Sequence, residues 1–141
     1  MFRRIKVNLS GGLLVLLVLV AVTALVSCGP PPPPSVDNVT LATSVDSSFK
    51  PIGSVTAFAP TDKFYASAQV SNLIVGTKVE ARWYLGTDEI TQGRTVLTAD
   101  KAGSGYNSFS LSNSSAFPVG DYKVEIYLDG TLVKTVPFKV Q

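Results

Sequence analysis

From about residue 38 to the C-terminus the apolar residues fall on every second position, in short runs that recur about every ten residues, and no 3.6-residue period competes with them. A period of two puts the apolar side chains of each run on one face of an extended strand, so the chain must fold by laying those faces on a shared core. Four runs carry the pattern most cleanly. In residues 63–71 Phe64, Ala66, Ala68 and Val70 share a face, and in 76–85 Val79, Ala81, Trp83 and Leu85 alternate with Lys78, Glu80, Arg82 and Tyr84. In 121–130 Tyr122, Val124, Ile126 and Leu128 alternate with Asp121, Lys123, Glu125 and Tyr127, and in 131–140 Val136, Phe138 and Val140 continue the theme. Weaker strands are expected at Val39–Thr43, Val55–Ala59, Arg94–Ala99 and Tyr106–Ser112, the last with Phe109 and Leu111 inward.

The last two clear runs are separated only by Asp129-Gly130, a pair in which both positions tolerate positive φ, so a tight type I′ hairpin is expected there. Pro137 interrupts the final run, and proline lacks the N–H a central strand needs, so that strand should lie at a sheet edge. Lys101–Gly105 lacks the spacing and terminal lysine of a phosphate-binding loop and reads as an ordinary connection. The segments Val75–Thr87 and Val119–Thr131 share a Lys-Val-Glu core and a following Tyr-Leu, an echo for which convergence on the same strand grammar is the favoured account and duplication the alternative. The expected fold is all-β: a single antiparallel β-sandwich of about seven strands.

These residues resemble an immunoglobulin-like or fibronectin type III-like domain. Trp83 stands where that family buries a tryptophan on its third strand, and Tyr122, within Phe117–Gly130, resembles the tyrosine that closes a corner before the sixth. The position two after it is Val124 where antibody domains have cysteine, so the resemblance implies an apolar core around Trp83 in place of a disulfide.

The N-terminus has a different grammar. Arg3, Arg4 and Lys6 precede an uncharged apolar run over residues 13–26, the arrangement of a secretory signal peptide. An uncleaved membrane helix is the alternative, since residues 11–27 approach the ~17 residues needed to span. The run ends in Leu25-Val26-Ser27-Cys28, which resembles the bacterial lipobox. That resemblance implies cleavage before Cys28 and attachment of a diacylglyceryl group to its sulfur. Two acyl chains suffice for stable anchoring, at ~0.8 kcal/mol for each buried CH₂. Cys28 is the only cysteine of the 141 residues, so it has no disulfide partner within the chain. Pro30–Pro34 follow, five prolines that form a stiff polyproline spacer. The expected division is therefore signal peptide 1–27, lipidated cysteine and linker 28–37, and sandwich 38–141.

Charge now reads differently. Three of the twelve basic residues precede the apolar run, so nine remain after it against all ten acidic ones, a net of about −1. No basic, aromatic-interleaved stripe is left for nucleic acid. The chain has no histidine, and an acylated Cys28 offers no thiolate, which removes the usual general base, nucleophile and zinc ligands. Ser47 and Lys50 have the S-x-x-K spacing of penicillin-binding enzymes, but Pro51 follows at once and the helix that chemistry needs is not indicated. The carboxylates, Asp46, Asp62, Asp88, Glu89, Asp121 and Asp129 among them, sit mostly at expected turns, where they bond their own backbone. No catalytic, metal or cofactor site is expected.

Binding is the remaining class. Tyr84 and Arg82 on one strand, with Tyr127 and Lys123 on another, share an outward face beside Glu125, and tyrosine and arginine favour interfaces. The plainer account of the same four residues is cross-strand pairing that supports the sheet. The expectation is a lipid-anchored bacterial envelope protein, held in the cell membrane or outer membrane with its domain on the extracytoplasmic side. It would display a non-catalytic module toward an envelope protein partner or as structural support. The alternative is an accessory lipoprotein that binds a small carbohydrate or peptide.

Overall fold

The computed structural model describes residues 28–141; the apolar run and the signal peptide read into it lie outside the described residues. Pro32–Gln141 form one compact unit, which holds the strands that follow. These are β1 (Ser35–Ala42), β2 (Ala57–Phe58), β3 (Phe64–Leu73), β4 (Lys78–Leu85), β5 (Asp88–Glu89), β6 (Thr95–Thr98), β7 (Gly103–Leu111), β8 (Gly120–Leu128) and β9 (Thr131–Val140). A single turn of 3-10 helix, Thr91–Gly93, precedes β6.

The strands form a β-sandwich of two sheets. The smaller has the order β1-β3-β7; the larger runs β2-β9-β8-β4, with β5 and β6 both paired to the far side of β4. All pairs are antiparallel except β2 with β9. Nine strands replace the expected seven or so. The strand with no expected counterpart is the two-residue β5, whose Asp-Glu sequence carries no apolar alternation; β2 falls within the expected Val55–Ala59.

Period two decides the faces. The register pairs Val79 with Leu128, Ala81 with Ile126, Trp83 with Val124 and Leu85 with Tyr122, and these residues point inward. From the small sheet Phe64, Ala66, Ala68 and Val70 face them, and all four are buried. The alanines leave room that the large sheet fills with Trp83, Ile126 and Phe138. Phe64 is the small sheet's main aromatic contribution. Its ring lies 4.3 Å from Phe117, 4.5 Å from Phe58, 5.4 Å from Phe138, 6.0 Å from Tyr122 and 6.5 Å from Trp83, centroid to centroid. Trp83 is fully buried, as its position in the alternation requires. The Tyr122 hydroxyl donates to the Pro118 carbonyl at 2.8 Å and closes the corner before β8.

Several expectations are corrected in detail. β1 starts at Ser35, three residues before the expected domain boundary, because Val36 is already buried and paired with Val70. Gly103–Gly105 belong to β7 rather than to a loop, since backbone pairing to β3 needs no side chain. The final strand is an edge only in part: Lys139 and Val140 pair with β2. The backbone N–H groups of Lys139 and Gln141 both donate toward that segment, to Thr56 and Phe58. Pro137 has their parity, so its missing N–H falls on the side away from β8, where no ladder is broken.

Asp129 and Gly130 adopt φ of 47° and 84°, both positive, as a type I′ turn requires. Asp129 also ties the turn to β4: its carboxylate accepts the Lys78 N–H at 2.8 Å and its own N–H donates to the Lys78 carbonyl at 2.8 Å. The two segments that echo each other in sequence lie side by side, as the antiparallel neighbours β4 and β8.

Candidate functional site

The outer face of β4 and β8 is built by the residues that alternate with the core. Register opposes Glu80 to Tyr127, Arg82 to Glu125 and Tyr84 to Lys123. All four residues expected on this face, Arg82, Tyr84, Lys123 and Tyr127, are there and half-buried. Beyond β4, Tyr84 pairs with Glu89 on β5.

These side chains are occupied with one another. The Arg82 guanidinium donates to Glu80 Oε1 at 2.7 Å and lies 4.1 Å above the Tyr127 ring. Lys123 Nζ donates to Glu125 Oε1 at 2.6 Å and sits 4.6 Å from the Tyr84 ring centroid. The Tyr127 hydroxyl donates to the other Glu125 oxygen at 2.6 Å. Arg94, just after the 3-10 turn, grips Glu89 with two parallel bonds of 2.7 Å and approaches Glu80 at 3.7 Å. Each cation thus has a carboxylate, and Arg82 and Lys123 each have a tyrosine ring as well. Such cation–π contacts contribute ~0.5–1 kcal/mol at partly exposed sites.

The electrostatics follow from this pairing. The bond from Arg82 holds Glu80 below the usual carboxylate range despite some burial, and the same bond pushes the Arg82 guanidinium still higher. At Glu125 burial acts to raise the pKa, but the bonds from Lys123 and Tyr127 outweigh it, so the carboxyl stays ionised to lower pH than usual. Accepting that bond in turn makes Glu125 the main cause of a Tyr127 phenol pushed up to about 12, with burial adding to it. A face whose charges are already neutralised has little left to offer a charged ligand. The arrangement therefore supports the cross-strand account of these residues more directly than a docking one.

Sequence reasoning found Arg82, Tyr84, Lys123 and Tyr127 but missed Glu89 and Arg94. They lie five residues apart around a 3-10 turn, and only the pairing of β5 with β4 brings them to this face.

Elsewhere, Cys28 is exposed and forms no disulfide. Ser47 and Lys50 lie in a loop, where Asp46 accepts the backbone N–H groups of Ser48 and Lys50. Among the described residues no three of His, Cys, Asp or Glu gather closely enough to hold a metal ion. A groove of about 260 Å³ runs beside the start of β7, lined by Val70, Leu73, Leu97, Ala99 and Tyr106 together with the backbone of Gly103–Gly105.

No family model and no curated protein matches the chain.

Proposed function

We propose that the mature protein begins at Cys28, carries lipid on that cysteine, and displays its β-sandwich at the extracytoplasmic surface of a bacterial membrane. There it acts as a non-catalytic module for protein interaction or structural support. The observation that carries this reading is the order Leu25-Val26-Ser27-Cys28, five prolines, then a strand that starts at once with Ser35. Gly29–Pro34 is the whole linker, about 19 Å as polyproline. An anchored sandwich would stay close to the bilayer, so its partners would belong to the same envelope layer.

The immunoglobulin-like assignment is part of the proposal. Supporting it are the split of three strands against six, the parallel contact of β2 with β9, and the Tyr122–Pro118 bond at the corner before β8. A non-catalytic role is supported by the lack of histidine and by an outer face whose charges are engaged with one another.

Metabolic labelling with a radioactive or clickable fatty acid tests the anchor. The wild-type chain should take up label and run at the size of a chain cleaved before Cys28. Cys28→Ser should remain a full-length, unlabelled precursor, and normal processing of that variant would overturn the reading.

A further inference from the structure

Four strand edges border the two sheets, and three of them are blunted. β1 is bulged between Val36 and Asn38, with Asp37 in the bulge, and its Leu41 carbonyl is already taken by the Val55 N–H. β9 carries Pro137, Lys134 and Lys139, and β2 covers its end. β5 and β6 are two and four residues long. Bulges, proline, lysine and short strands are the usual ways of stopping a sheet from adding another strand. β7 has no proline and no lysine and is not short, and the bulge opposite its start, between Val70 and Leu73, lies on β3. β7 runs nine residues, Gly-Ser-Gly-Tyr-Asn-Ser-Phe-Ser-Leu, with no charge and no proline. Among the described residues its backbone pairs only with β3, which leaves one side of the strand open.

The two halves of β7 differ in a complementary way. The first half contains Gly103 and Gly105 and borders the 260 Å³ groove, while the second places Phe109 and Leu111 on the core side. An antiparallel strand of the same sequence, centred on Asn107, would set Phe109 and Leu111 of each copy opposite Gly105 and Gly103 of the other. On the outer face it would set Tyr106 opposite Ser108 and Ser104 opposite Ser110, pairs without like charges.

We infer that β7 is a self-association edge: a second copy of this chain adds its own β7 antiparallel about a two-fold axis at Asn107, joining the small sheets into one of six strands. The contact is isologous and closes on itself, so it yields a dimer rather than a fibre. The pairing rests on β7 alone and does not depend on the anchor at Cys28, although co-residence in a membrane would raise the effective concentration.

Cysteine cross-linking of the full chain in membranes tests both pairing and register. Residues opposed across antiparallel strands have Cα atoms about 4.5–5.5 Å apart, within disulfide reach. Asn107→Cys should therefore give a covalent dimer under mild oxidation. Ser110→Cys should give at least about tenfold less, since its own two-fold mate lies some six residues, ~20 Å, along the strand. Mixed copies of Ser104→Cys and Ser110→Cys should cross-link with each other. Adding Ser108→Lys, which charges the edge without touching the core, should suppress the Asn107→Cys dimer. Equal yields from Asn107→Cys, Ser110→Cys and a Thr135→Cys control on β9 would overturn the inference, as would an Asn107→Cys dimer indifferent to Ser108→Lys. Dimers of the wild-type chain would come from Cys28 and would overturn the acylated anchor instead; the yield of Asn107→Cys above that background then decides the pairing.

Discussion

The outer face of the large sheet carries Glu80, Arg82, Glu89, Arg94, Lys123 and Glu125, joined into one network of ion pairs and tyrosine contacts. On the small sheet the corresponding positions are Asn38, Thr40, Tyr65, Ser67, Gln69, Tyr106, Ser108 and Ser110, and the one carboxylate, Asp37, sits in a bulge bonded to Ser35 and Ser71. The face that looks richer in recognition chemistry is thus the one that has used it internally. The neutral sheet, which attracts no notice by composition, ends in the one unblunted edge. Exposed charges already paired with neighbours contribute little to a partner, whereas open backbone groups on an edge are still free to pair with an added strand.

The largest test of this division lies where the sheets meet. Phe64 links the small sheet to five aromatic rings, four of them on strands of the large sheet and the fifth, Phe117, on the loop before β8. Phe64→Ala and Trp83→Ala should each cost ~3–5 kcal/mol in denaturant melts, because each removes a buried aromatic from a core that collapses only partly. A loss below about 1 kcal/mol for either would mean that the two sheets are not held by this cluster.

Next in size is Gly93, which the sequence offers only as a glycine before an expected strand. A β-carbon built on it would lie 2.6 Å from Leu111 Cδ1 and 2.8 Å from Trp83 Cδ1, closer than carbon atoms approach. Leu111 is on the small sheet and Trp83 on the large, and both are buried, so neither can give way freely. Gly93→Ala should destabilise by ~1–3 kcal/mol, the usual cost of overpacking. A neutral result would show that the 3-10 turn can lift off the core.

How legible all this was in the sequence depends on which physical rule governs each part. Alternation revealed β3, β4, β8 and β9 and the burial of Trp83, because a strand with one face on a core must repeat every second residue. It missed β5 and the start of β7, since Asp88-Glu89 and Gly103-Ser104-Gly105 have no apolar side to show; pairing there is a backbone matter. The four outward residues of β4 and β8 were legible for the same reason as the core. Their mutual engagement was legible only in part: Glu80 with Arg82, and Glu125 with Lys123 and Tyr127, are partners two residues apart on one strand, whereas the contacts of Arg82 with the Tyr127 ring and of Lys123 with the Tyr84 ring depend on register. Gly93 was invisible because a close approach between three elements leaves no local mark.

On the charged face the effect is smaller and depends on pH. Glu80 and Glu125 have an ordinary pKa of 4.5 and are held below it in the folded protein by their bonds to Arg82 and to Lys123 and Tyr127. A carboxyl depressed by folding contributes stability that is full above its unfolded value and is lost as pH falls through the folded one. The thermal midpoint should therefore drop as pH falls below about 4.5, and Glu125→Gln should shrink that drop while costing about 1 kcal/mol at neutral pH, after allowance for solvent at the rim of the site. Ser110→Ala on the small sheet's outer face should change stability by less than about 0.5 kcal/mol at either pH. Equal effects from the two variants would erase the contrast between the faces.

The smallest effect is in alkali and leaves stability at neutral pH almost untouched. The Tyr127 phenol donates to Glu125, so removing its proton would place two negative charges side by side, and its pKa rises from 10.0 to about 12. A pKa raised by folding gives stability that is complete below pH 10 and disappears as the pH climbs through 12. Buried Tyr122 is raised as well, by desolvation. An ultraviolet titration should then show a late fraction of phenolate formation from Tyr122 and Tyr127. Tyr127→Phe should remove part of that late fraction and leave the Tyr122 part in place. It should also leave Arg82 bonded to Glu80, since a phenylalanine ring still offers its face to the guanidinium. If the late fraction survives Tyr127→Phe in full, the phenol is not bonded to Glu125 in solution, and the charged face is looser than its ion pairs imply.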